Sequence, residues 1–169
     1  MANETLEFEL FRTSNHPCSF LENRSAATLF LDPAIKISKR ILTTLSKQGV
    51  RRSGELLYKP DCESCNACIS CRIPIMDFKL RKSYQRILKL NQALEVTVSK
   101  EQYNSFILKS TDNTVFFKSY DNKRLVAVSV IDIHSDGLSA IYSFYDPFER
   151  KRSLGTYSIL YLTSYAADN

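Results

Sequence analysis

The sequence predicts an α+β protein in two modules, a cysteine-rich one over residues 1–92 and a strand-rich one over residues 93–169. Three observations carry that reading. Four of the five cysteines fall in one run, Cys62, Cys65, Cys68 and Cys71. After Asn91 the chain turns into β-branched and aromatic stretches separated by turn-forming clusters, as short strands require. Segments with apolar residues at helical spacing lie before, between and after them.

The elements are expected as follows. Residues 34–47 read as a helix, with Asp32 as N-cap, Pro33 at the first helical position and Gly49 just past the end. Ile35, Ile41, Leu42 and Leu45 share one face of it. Residues 49–54 form a basic loop between two glycines, and Leu56, Leu57 and Tyr58 make a short apolar run ended by Pro60. Residues 72–78 are expected as an edge strand, because Pro74 cannot donate to a ladder. A helix over residues 79–92 follows, with Tyr84, Ile87 and Leu88 inward. Residues 94–98 are strand-like, and Ser99-Lys100-Glu101-Gln102 opens a short helix carrying Tyr103, Phe106 and Ile107. Strands are expected at 114–119, 124–133 and 138–144. Asp121-Asn122-Lys123 makes the first turn, and His134-Ser135-Asp136-Gly137 a hairpin loop with Gly137 at a positive φ. Asp146-Pro147 ends the strands, and a last helix carries Ile159, Leu160 and Leu162.

Composition narrows the function. At 169 residues, 44% apolar and 24% charged, the chain has the balance of a soluble globular protein. No apolar run approaches the roughly 18 residues of a membrane span, so no membrane partner is expected. The first residues carry Glu4 and Glu7 where a secretory signal would be cationic, which points to the cytoplasm and to reduced thiols. Net charge is +5, unevenly spread. Lys79, Arg81, Lys82, Arg86 and Lys89 form a block without an acid, which suits a polyanionic partner or, more plainly, a solvated helix face.

The cysteine run admits metal binding, redox chemistry or a shaped loop. Consecutive C-x-x-C steps approach the spacing that holds iron–sulfur clusters. Cys18 with three of Cys62, Cys65, Cys68 and Cys71 would also close a tetrahedral zinc site.

The order of several strings points to a family. Pro17-Cys18-Ser19-Phe20-Leu21 with Arg24, Arg51-Arg52-Ser53-Gly54, and Tyr58-Lys59-Pro60-Asp61-Cys62 lead into C-x-x-C-x-A-C and Arg72. Downstream come Asp136-Gly137-Leu138-Ser139, Phe144-Tyr145-Asp146-Pro147 and Arg152-Ser153-Leu154-Gly155-Thr156-Tyr157. Together, over about residues 17–160, they resemble the bacterial leucyl-tRNA–protein transferases of the N-degron pathway, in the same family as the eukaryotic arginyl-transferases. The resemblance implies an aminoacyltransferase that moves leucine (or arginine) from aminoacyl-tRNA to the N-terminal amine of acceptor proteins beginning with Asp or Glu, marking them for degradation. It implies no cofactor for the transfer and a GNAT-like acyltransferase fold for the second module. It also includes Cys18 and the first three clustered cysteines in the family motif, with Cys71 outside it. Two departures stand out. The segment between Val98 and Glu101 is shorter than in the family, and the chain stops at Asn169 where relatives continue, so the GNAT-like domain is expected to be truncated.

On that resemblance the site residues fall into groups. Donation from an activated ester needs no covalent nucleophile, only approach geometry, a base and oxyanion donors. Asp146 and Asp132 are the candidate bases. Arg24, Arg51, Arg52 and Arg72 are the pool for the acceptor carboxylate, since guanidinium suits bidentate recognition, with at most one of Arg51 and Arg52 in the pocket. Lys79, Arg81, Lys82, Arg86, Lys89, Arg150, Lys151, Arg152, Ser153 and Gly155 are the candidate tRNA contacts, the last five at a helix start that could meet terminal phosphates. A monomer is expected. The competing expectation is a non-catalytic RNA-binding or redox-sensing module built on a metal or cluster.

Overall fold

A computed structural model describes residues 8–100 and 113–169. The chain divides into two compact units, Met1–Ser70 and Cys71–Asn169. This boundary lies before the basic helix, whereas the sequence division at residue 92 follows it. Ser99, expected to open a short helix, ends a strand, and the rest of that helix, from residue 101 on, lies outside the described residues. No helix among the described residues is long and apolar enough to cross a membrane.

The first unit is built on a four-stranded antiparallel sheet. Strands β1 (Leu10–Arg12), β4 (Thr28–Leu31), β5 (Arg51–Ser53) and β6 (Leu56–Pro60) lie in the order β1-β4-β6-β5, and β2 (His16–Pro17) and β3 (Ser25–Ala26) pair as a small ribbon. Helix α1 (Lys39–Lys47) joins β4 to β5. Two expectations are corrected here. Helix α1 starts at Lys39, not near Ala34, because the Ser38 hydroxyl caps it by accepting from Ile41 N at 3.3 Å. Asp32 instead accepts from Ala34 N at 2.8 Å and closes a turn of its own, which is the other use of an Asp-Pro step. The anticipated basic loop is strand β5, paired with β6 through a two-residue turn in which Gly54 takes φ +59. Gly49, at φ +87, ends α1 as expected.

The second unit carries an antiparallel sheet ordered β10-β9-β8-β7, from β7 (Glu95–Ser99), β8 (Thr114–Asp121), β9 (Arg124–Ile133) and β10 (Leu138–Tyr145). Helices α2 (Lys82–Leu90) and α3 (Leu154–Asp168) complete it. The β8–β9 turn has Asn122 at φ 47 and Lys123 at φ 70, the paired positive values that match strand twist in a tight hairpin. The β9–β10 hairpin closes by His134 N donating to Gly137 O at 2.9 Å. Gly137 is not at a positive φ, which corrects that expectation, and a Cβ there would meet nothing within 4 Å. The expected strand at 72–78 is a single 3-10 turn at Ile75–Asp77; no strand among the described residues pairs with it, and an unpaired strand has no ladder to stabilise it.

Two apolar clusters hold α3 to one face of the sheet. One joins Val115, Phe117 and Ile131 to Leu162, with Tyr165 edge-on to Phe117 at 4.9 Å between ring centres. The other joins Leu94, Val126 and Ala127 to Leu154 and Tyr157, and Ile87 and Leu88 of α2 pack against it. Burying each such side chain contributes about 1.5–3 kcal/mol. Helix α2 therefore sits on the same core as the start of α3.

Burial pushes the Tyr157 hydroxyl above the usual tyrosine value, and neighbouring Tyr161 adds to the shift. An acid whose folded pKa is raised keeps its proton in the folded state after the unfolded chain has lost it. The resulting stability is complete below pH about 10 and lost as pH rises from there through the folded value. Tyr157→Phe should remove this loss. The wild-type urea midpoint should fall relative to that of Tyr157→Phe as pH is raised above about 10, and a difference that does not change with pH would contradict the assignment.

Candidate functional site

The start of α3 is fixed by charge. Arg152 Nη2 meets Asp121 Oδ2 at 2.7 Å and its Nε meets Glu149 Oε2 at 3.0 Å, with side chains only about a quarter exposed. Arg124, at the other end of the β8–β9 turn, pairs with Asp146 at 2.7 Å and also with Glu149. The hydrogen bond to Glu149 raises the Arg124 pKa, with the Glu149, Asp146 and Asp121 charges adding and burial opposing. Asp146 Oδ1 further accepts from Phe148 N at 2.9 Å, closing a turn over Pro147. Ser153 then adopts φ 52, ψ 48, a left-handed step that swings the chain into α3.

Helix α2 is joined to this segment by Asn91. Its side-chain nitrogen donates to Ile87 O and to Arg152 O, both at 2.9 Å, and the residue is 1% exposed. The helix ends on the same residue, whose backbone N–H caps the last turn. Lys82, Arg86 and Lys89 recur at i, i+4 and i+7, so they share one stripe. Tyr84, Ile87 and Leu88, half-buried, occupy the opposite stripe, as expected. Among the described residues no carboxylate pairs with Lys79, Arg81, Lys82, Arg86, Lys89, Arg150 or Lys151. Arg152, grouped with them in the sequence, is instead neutralised within the fold.

Gly155 lies in the first turn of α3. A Cβ there would stand 3.3 Å from the Tyr145 ring, so the missing side chain lets that ring approach the helix start. Ser153 makes no side-chain cap hydrogen bond. The two candidate bases do not meet. Asp132, 1% exposed, accepts from Thr114 Oγ1 at 2.7 Å on the face of the sheet away from α3. Asp146 N bonds Val126 O, so six residues of β9, about 20 Å of strand, separate the two levels.

In the first unit, Arg24 is exposed and has no carboxylate partner among the described residues. It lines an open cavity of about 700 Å³ together with His16, Cys18, Leu21 and Glu22. The ribbon beneath is closed by Cys18 N donating to Arg24 O at 2.8 Å. Arg51 donates from Nε and Nη2 to Ser70 Oγ at 3.4 and 3.2 Å. Arg52 is 7% exposed and donates to Gly54 O at 2.6 Å, so it holds the β5–β6 turn. Of the adjacent pair, Arg51 alone faces outward. Arg72 is exposed and belongs to the second unit.

The cysteines do not form the expected cage. No three Cys, His, Asp or Glu side chains among the described residues are placed to share a metal ion. None of the five cysteines is in a disulfide. Cys62 donates its thiol to Ala27 O at 3.8 Å, Cys68 and Cys71 are exposed, and Cys18 belongs to the β2–β3 ribbon. This arrangement does not fit a bound zinc or iron–sulfur cluster. What fixes the segment is protein: Arg12 grips Asp61 (2.8 Å) and Glu63 (3.3 Å) at its start, and Arg51 grips Ser70 at its end.

Sequence reasoning missed Asn91, Asp121, Arg124, Glu149 and Arg12. Asn91 had a visible signal, a polar C-cap after an apolar stripe. Apart from the i,i+3 pair of Glu149 with Arg152, the others pair across 22 to 51 residues, where no local pattern shows.

The family model for the N terminus of arginine-tRNA-protein transferase matches residues 16–86, and that for its C terminus matches residues 76–169. The aspartate/glutamate leucyltransferase of Hahella chejuensis is 37% identical over 94% of this chain and 80% of its own length. Proteins of the same name from Pseudomonas aeruginosa (36%, 94% and 80%) and Acinetobacter baumannii (36%, 91% and 68%) are similar to it as well. The chain belongs to the arginine-tRNA-protein transferase family.

Asn91→Ala should leave the part-buried Arg152 carbonyl without its side-chain donor, while Ile87 O keeps the backbone N–H of residue 91, and should cost about 1–3 kcal/mol. Denaturant unfolding measures it; a loss under a few tenths would show that the α2–α3 joint does not depend on this amide.

Proposed function

We propose that this member of the family transfers leucine (or arginine) from aminoacyl-tRNA onto the N-terminal amine of proteins that begin with Asp or Glu. One observation carries the tRNA half of the reading. Seven cations of the second unit, along α2 and just before α3, lack carboxylate partners among the described residues, while Arg124 and Arg152 beside them are paired. A fold that neutralises its architectural arginines and leaves a stripe of others open offers a surface for phosphates. Terminal phosphates would be received by Arg150 and Lys151 with the first N–H groups of α3, which have no intrahelical partner.

The acceptor half rests on Arg24. It is a guanidinium without a carboxylate partner among the described residues, at a cavity of the first unit, and it suits bidentate contact with the acidic N-terminal side chain. Arg51 and Arg72 complete the exposed pool, and Arg52 stays with the hairpin. The transfer forms an amide as the ester to the tRNA ribose breaks, and the attacking ammonium must first lose a proton. For Asp146 or Asp132 to take that proton, the ammonium or a water would have to replace Arg124 or Thr114 at the carboxylate. The same reading makes the second unit part of a GNAT-like acyltransferase domain, four antiparallel strands with α3 across one face. The functional division at residues 92 and 93 and the structural boundary at 70 and 71 bracket the segment where the two family models overlap. The protein is then a cytoplasmic monomer that needs no cofactor for transfer.

Labelled leucine presented on tRNA should appear on a peptide beginning with Asp or Glu, and no incorporation would overturn the reading. Replacing Lys82, Arg86 and Lys89 together by Ala should lower the salt dependence of tRNA binding, by about 0.9 in the log–log slope for each phosphate no longer neutralised. An unchanged slope would remove α2 from the interface. Arg24→Glu should abolish transfer to acidic acceptors while tRNA binding stays intact; unaltered acceptor preference would exclude Arg24.

A further inference from the structure

The segment between β10 and α3 is locked, yet it displays aromatic surface. Asp146 turns it, Arg124 ties it to Asp146 and Glu149, and Arg152 ties its end to Asp121. At its tip Phe148 is 92% exposed. Tyr145, at the end of β10, has its ring against Gly155 and remains 55% exposed. A phenylalanine held out on a rigid loop buries nothing in the fold, so the loop's order serves to position it. Arg150 and Lys151 follow within three residues, exposed and without carboxylate partners among the described residues. Rigid aromatics beside unpaired cations match unpaired nucleotides: bases stack on the rings and phosphates meet the charges.

We propose that Tyr145 and Phe148 form a stacking platform for the single-stranded 3′ end of the aminoacyl-tRNA, with Arg150 and Lys151 on its phosphates. This rests on the reading of the chain as a tRNA-dependent transferase and adds the residues that position the reacting end. Stacking tolerates any base, so the platform grips the terminal nucleotides of every tRNA and leaves the choice of amino acid elsewhere. The rigid loop limits the ordering cost of binding.

The test compares binding of uncharged tRNA with and without its last three 3′ nucleotides. Wild type should bind the trimmed tRNA at least about five-fold more weakly, since each stacked base contributes roughly that factor or more. Phe148→Ala and Tyr145→Leu should bind intact tRNA correspondingly more weakly and lose little further on trimming. Phe148 is solvent-exposed, so its variant tests the idea even if Tyr145→Leu disturbs packing on Gly155. Equal binding of both tRNAs by wild type, or the same trimming loss in the variants, would overturn the platform and leave the cationic stripe standing. Absence of any tRNA binding by wild type would overturn both readings.

Discussion

The second unit depends on how Arg152 is held. Its guanidinium meets Asp121 from the β8–β9 turn and Glu149 from its own segment, and its carbonyl accepts from Asn91 at the end of α2. One residue thus fixes a turn, a connection and a helix against one another. Charge-assisted bonds in a half-buried setting are stronger and more directional than exposed ion pairs, so they can set the angle at which α3 leaves the sheet. The left-handed step at Ser153 is a strained choice for a non-glycine residue, and it persists because both sides of it are fixed.

That joint separates two uses of positive charge. Arg12, Arg124 and Arg152 are neutralised by carboxylates and organise the chain. The cations of α2, with Arg150 and Lys151, project from the same framework without such partners among the described residues. Because α2 buries Ile87 and Leu88 on the core that also holds Leu154, the cationic stripe is rigidly related to the start of α3. On the proposed reading, a polyanion lying along α2 would be led toward the helix start, where the Tyr145 ring lies against Gly155.

The first unit fixes its cysteine segment through arginines. Arginines at both ends hold the cysteine segment: Arg12 at Asp61 and Glu63, Arg51 at Ser70. Cys62 donates its thiol to Ala27 O. Arg52, one residue from Arg51, is buried because neighbouring residues of a strand face opposite sides. That alternation, invisible while residues 49–54 read as a loop, decides which of the two can meet a ligand.

The sequence by itself determined the elements whose cause is local. The strand pattern of β8, β9 and β10, the two faces of α2, and Gly49 after α1 follow from φ/ψ preference and burial period within about ten residues. The ordered motifs likewise identified the family. Tertiary structure alone decided that Arg51-Arg52-Ser53 is a strand, that Asp32 turns the chain without starting a helix, and that Arg152 belongs to the architecture while Arg150 and Lys151 face solvent. It also decided that the cysteines do not gather and that Asp132 and Asp146 lie apart. Those outcomes depend on which partner each residue meets, such as Tyr58 across a hairpin for Arg51 and Asp121 across 31 residues for Arg152, and a pairing across a sheet or an ion pair leaves no periodic trace in the sequence.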